Sequence, residues 1–115
     1  MNYLDGFVAA VAQANKEAYL KHAADMAVVL KEYGALRSIE AWGDDVPEGK
    51  LTSFTMAVKR EEGEVVVFAW VEWPSKAVRD AGWENAQVDP RMANVPMPFD
   101  GKRMIYGGFQ IVMEK

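Results

Sequence analysis

His22 is the only histidine in the chain, and there is no cysteine. An unperturbed imidazole is the one side chain that changes charge near neutrality, so His22 is the first candidate for a general base. It lies three positions after Tyr19 and four before Met26, beside an apolar helical stripe. No serine stands in a nucleophile motif to use it, which favours a packed or half-exposed helix residue. Asp44 and Asp45, with Glu48 nearby, offer the hard oxygens that magnesium takes. They stand in a Gly- and Pro-rich turn, where short acids cap backbone amides, and no second ligand cluster accompanies them. No metal and no cofactor is expected. Arg103, just after Asp100-Gly101, could grip an anionic ligand at the mouth of a site through its forked guanidinium.

Such groups do chemistry only if the fold gathers them. Residues 3–11 (YLDGFVAAV) read as a strand. Asn15 then fits the N-cap of a helix with Tyr19, Ala23, Met26, Leu30 and Tyr33 at helical spacing, ended by Gly34. Residues 35–42 (ALRSIEAW) are a second predicted strand, 43–50 (GDDVPEGK) a loop, and 54–58 either a short strand or a helical turn. The strongest strand signal lies in EVVVFAWVEWPS (64–75), which Pro74 stops. Ser75 caps a second helix with Val78, Ala81 and Val88 inward, where Gly82 costs about 1 kcal/mol relative to alanine. Asp89-Pro90 opens a further turn, 97–101 is a loop, and 104–113 is the last strand.

Strand, helix, strand, strand, helix, strand is the order of an α+β, ferredoxin-like βαββαβ domain with a four-stranded antiparallel sheet, here one domain over residues 1–115. Two helices cover one face of such a sheet. Val65 to Val71 do not alternate, so the second face also needs cover. The economical cover is a second copy: two sheets closing into a dimeric α+β barrel and burying about 1,200–2,000 Å² or more.

Strand parity then sorts the side chains. The sets that mix aromatic and polar groups are assigned to the barrel interior: Asp5, Trp42, Phe68, Trp70, Tyr106 and Gln110. Gly108, in the pair Gly107-Gly108, marks a close approach, opening floor for a ligand or admitting the partner subunit. An apolar space with a few convergent polar groups is what a small-molecule site looks like. A barrel simply filled by these side chains is the competing reading.

The remaining bounds are broad. The chain has 115 residues, half of them hydrophobic, enough for one core. The opening MNYLDGF lacks the order of an export signal, and no apolar run is long enough to cross a bilayer. Absence of cysteine suits a reducing cytoplasm. A formal net charge of −4 and a pI near 5.0 argue against nucleic acid as a partner.

The segments YLDGFV (3–8), GALRSIEAWGDDVPEGKLTSF (34–54), VVVFAWVEWPSKAVRD (65–80), DPRM (89–92) and PMPFDGKRMIYGGF (96–109) resemble the YbaA-like family of small uncharacterised bacterial proteins. The resemblance runs over nearly the whole chain and implies the same dimeric α+β barrel. It implies no established activity. Two functions follow as expectations: a non-catalytic homodimer that binds a small organic molecule, or a cofactor-independent monooxygenase- or isomerase-like enzyme acting on a small aromatic molecule. In the second, Asp5 is the base and Tyr106 or Trp70 orients substrate.

Overall fold

The computed structural model describes residues 2–93 and 95–115. Its elements are β1 (Tyr3–Ala12), α1 (Lys16–Glu32), β2 (Arg37–Trp42), α2 (Phe54–Ala57), β3 (Glu64–Trp73), α3 (Lys76–Gln87) and β4 (Ile105–Gln110), with 3-10 turns at Gln13–Asn15 and Gly101–Arg103. The four strands form one sheet in the order β2-β3-β1-β4, every neighbouring pair antiparallel. Two β-α-β units therefore interleave, which is the ferredoxin-like arrangement expected from the element order.

Local chemistry sets most boundaries. Gly34 takes φ +113°, the left-handed geometry that ends a helix, and a Cβ there would lie 2.6 Å from Val78 Cγ1. The Ala35 amide still donates to Leu30, so β2 begins at Arg37 and not at residue 35. Ser75 caps α3 by accepting from the Val78 amide at 3.1 Å. Asp89 caps the turn after α3, accepting from the Arg91 amide at 2.9 Å with Pro90 in the first position. Asn15 departs from expectation. It stands before α1 but its side chain accepts nothing from the first turn; its Nδ2 donates instead to the Pro98 carbonyl, 3.4 Å away. The ambiguous segment 54–58 resolves as α2, capped by Ser53.

Helices α1 and α3 lie over one sheet face, with Tyr3, Val29, Leu30, Ala35, Val71, Trp73 and Ala86 as the buried core between them. Gly82 is required there, not merely tolerated. A Cβ on it would meet the Trp73 ring at 2.5 Å, so the missing side chain lets α3 sit down on the sheet. The second face is partly covered from within the chain. Val58, at the end of α2, joins Val8, Ala10 and Val66 in a small second core. Beyond it Phe68, Ile105 and Phe109 remain exposed, and Leu4 and Trp70 half-buried.

Cross-strand register corrects the assignment of faces. Asp5 pairs with Val71, not with Trp70, and Ser38 also pairs with Val71. Asp5, Trp42, Tyr106, Gly108 and Gln110 therefore face the helices, while Phe68 and Trp70 face the opposite way. Alternation says which residues of one strand share a side. It does not say which side, and only pairing between strands fixes that.

Candidate functional site

One space that could hold a ligand lies between the helices and the sheet within one chain. It is a cavity of about 620 Å³, within the range of roughly 300–1,000 Å³ usual for small-molecule sites. Protein interiors rarely keep voids larger than a water molecule, so its origin in the sequence matters. Ala9 and Ala69 lie opposite one another's neighbours on the sheet floor, and Ala23 and Ala27 face it from α1. Four alanines stand where a filled core would carry branched side chains. Phe7, Tyr19, Trp83, Phe99 and Tyr106 supply aromatic walls, and Met26, Met97 and Met104 adaptable ones.

One end is closed by a saturated ionic anchor. The buried Asp5 carboxylate accepts from Trp73 Nε1 at 2.9 Å and from Trp83 Nε1 at 2.8 Å. Arg79 grips it twice, through Nε at 3.0 Å and a terminal nitrogen at 2.8 Å. The other terminal nitrogen of Arg79 reaches Asp80 at 2.9 Å, and the guanidinium also lies 5.2 Å from the Tyr3 ring centre. Asp5 is therefore the tie between β1, β3 and α3. Four donors leave it no free lone pair for a substrate proton, against its expected use as a base. Gly108 belongs to the same tie. A Cβ there would meet Tyr3 Oη at 2.4 Å and Arg79 at 2.7 Å, so within the chain this glycine makes room for the anchor's own side chains.

The opposite end is unlike it. Tyr19, buried on α1, donates its hydroxyl to Glu40 of β2 at 2.5 Å. Glu40 is exposed along the free sheet edge, and its carboxyl, partly buried by the bond to Tyr19, lines the cavity. Desolvation raises its pKa above the ordinary value, against the opposing pull of the Tyr19 hydroxyl. Burial first, then the bond to Glu40, raises the Tyr19 phenol as well and keeps it neutral. Ser38, two residues before Glu40 on the same face, has a buried Oγ with no hydrogen-bond partner among the described residues. His22, one turn beyond Tyr19, also lines the cavity, and burial lowers its pKa, so it is neutral at pH 7.

Of the residues singled out from sequence, the cavity thus brings together Asp5, His22 and Tyr106. Trp42 faces the same side but packs on Tyr19, with ring centres 6.3 Å apart. Gln110 lies further along β4, opposite Tyr3, and is exposed. Phe68 and Trp70 stack edge-on to one another on the open face, centres 5.8 Å apart. Arg103 is engaged inside the chain: Glu64 takes two of its nitrogens at 2.7 and 2.8 Å, and Asp100 and the Lys59 carbonyl also accept from it. It is a clamp between β3 and the turn before β4, with four of its five donors already taken. Asp44, Asp45 and Glu48 are exposed, and no group of three or more potential metal ligands comes together among the described residues. Sequence reasoning missed Tyr19, Ser38, Glu40 and Trp83. The usable signal was Ser38-x-Glu40, two polar residues on the strand face that also carries Trp42.

Comparison with known proteins places the chain in a family and adds no activity. Residues 2–101 match the family described as protein of unknown function DUF1428. The chain is 56% identical over 117 aligned residues to the uncharacterized protein YbaA of Escherichia coli strain K12, covering all of both chains. The YbaA proteins of Escherichia coli O157:H7 and Shigella flexneri show the same identity and coverage. A family match over most of the chain and a full-length relative at that identity mean that this chain belongs to the DUF1428 family of proteins of unknown function.

Proposed function

We propose that this protein is a small-molecule-binding homodimer, with one site per subunit in the cavity between the helices and the sheet. The observation that carries the reading is the 620 Å³ cavity, floored by alanine and walled by aromatic and methionine side chains. Its two ends divide the work: the Asp5–Arg79 tie holds the walls apart, and the Glu40 end keeps hydrogen-bonding capacity to spare. The site moves from the barrel interior expected from sequence to the inside of each subunit. Dimerisation is supported by the open sheet face, where Phe68, Ile105 and Phe109 would otherwise stay wet. No helix among the described residues is long and apolar enough to cross a membrane. With no cysteine in the chain, a reducing cytoplasm is the proposed compartment.

A fragment screen read by NMR tests the reading. Binders should shift the Trp83 indole and the His22 ring while leaving the Trp70 indole, on the opposite face, unmoved. Ala69→Leu, which fills the floor, should abolish those shifts. Binders that move Trp70 alone would return the site to the space between subunits.

A further inference from the structure

The charged groups around the cavity are unbalanced, and the imbalance says what kind of molecule it takes. Four acidic residues line it, Asp5, Glu40, Asp80 and Glu84, against one arginine, Arg79. All three Arg79 nitrogens already face carboxylates, two on Asp5 and one on Asp80, so its charge is compensated within the chain. Asp80 is further neutralised by Lys76 at 2.7 Å. Glu40 differs from both: its partner is a neutral phenol, and no ion pair to it forms among the described residues. His22, which also lines the cavity, has its pKa lowered by burial and so supplies little counter-charge near neutrality. Glu40 thus brings to the cavity wall a carboxylate whose charge no ion pair compensates, and a ligand that carries a cation would complete the pair.

We infer that the cavity selects a cationic ligand, a small aromatic amine whose ammonium group pairs with Glu40 and whose ring lies against Tyr19, Trp83 and Phe99. An ammonium carries three donors, enough for the free Glu40 oxygen and for the unpartnered Ser38 Oγ as acceptor. Aromatic walls attract the same charge through their ring faces. An anionic ligand meets the opposite situation, with three acids in excess of the single, occupied arginine. This rests on the small-molecule reading above and adds to it the sign of the charge.

Titration calorimetry of the full chain at low salt with three matched probes tests it: phenethylamine, 2-phenylethanol and phenylacetate. The amine should bind about tenfold or more tighter than the alcohol, as a charge-assisted bond to a carboxylate is worth. Phenylacetate should be the weakest. Glu40→Gln should bring the amine down to the level of the alcohol. Equal or tighter binding of the alcohol, or preference for phenylacetate, overturns the inference, as does an amine preference that survives in Glu40→Gln. Should that variant not fold, the three probes on the unaltered protein still decide. The single histidine separates the two layers of the argument. If 2-phenylethanol shifts the His22 ring and the amine gains nothing, the charge assignment fails and the small-molecule reading stands. If none of the three probes moves His22, the inference fails, and the fragment screen alone decides the wider reading.

Discussion

Trp70 and Trp73 stand three residues apart on β3 and so point to opposite faces of one sheet. Trp73 is fully buried, and its indole N–H is received by Asp5, a residue 68 positions away in the chain. Trp70 is half-buried, and its N–H reaches Glu72 at 3.3 Å, two positions along the same strand. On the helix face the polar end of the ring is bound to a long-range network that also holds Trp83 and Arg79. On the open face the polar end is satisfied locally, and the ring is left available beside Phe68. The contrast separates an anchoring face from one whose apolar area stays open, the face proposed to meet a second copy. Buried polar groups must find fixed partners, while a face that meets another molecule keeps its partners local and its apolar area free.

The largest effect that would break this contrast is at Asp5. Asp5→Ala leaves the Arg79 charge and two indole N–H groups without their acceptor, and should cost about 3–5 kcal/mol of unfolding stability in urea titrations. A loss under about 1 kcal/mol would mean that the network ties nothing down. A smaller effect belongs to Glu64. Its carboxyl, gripped first of all by Arg103, is lowered from an ordinary 4.5 to about 2. A depressed carboxylate favours the folded state above its unfolded pKa, so this contribution is complete above about pH 4.5 and fades as pH falls toward 2. Glu64→Gln should therefore flatten the acid limb of the stability curve, and an unchanged limb would remove the clamp from the account. Phe109→Glu sharpens the other side of the comparison. Its ring is exposed on the open face, so protomer stability should move by only about 0.5 kcal/mol. Sedimentation should nonetheless show a dimer become a monomer. A wild-type chain that sediments as a monomer at micromolar concentration would leave the open face without its proposed partner.

Several motifs that make the family recognisable turn out to be structural. In Trp73-Pro74-Ser75, the indole completes the Asp5 anchor, the proline ends β3 and the serine caps α3. In Asp89-Pro90-Arg91-Met92, Asp89 caps a turn while accepting from Tyr33 at 2.7 Å and pairing with Arg91, which also binds Glu32. Their residue types were legible because caps, breaks and turns act over three or four positions. The cavity was not legible in the same way. Nothing local distinguishes Ala9 or Ala69 from any small strand residue, and Tyr19 and Glu40 are 21 positions apart.

From the sequence alone came the α+β class, the order of the elements, the strand parity and an apolar area too large for two helices to cover. Each follows from short-range periodicity and composition, which survive without knowledge of the fold. The tertiary structure decided which side each strand's parity set faces, because hydrogen-bonded register couples residues far apart in the chain. With that coupling, Asp5 became an anchor and not a base, and the hollow fell between helices and sheet, where small residues from distant segments meet.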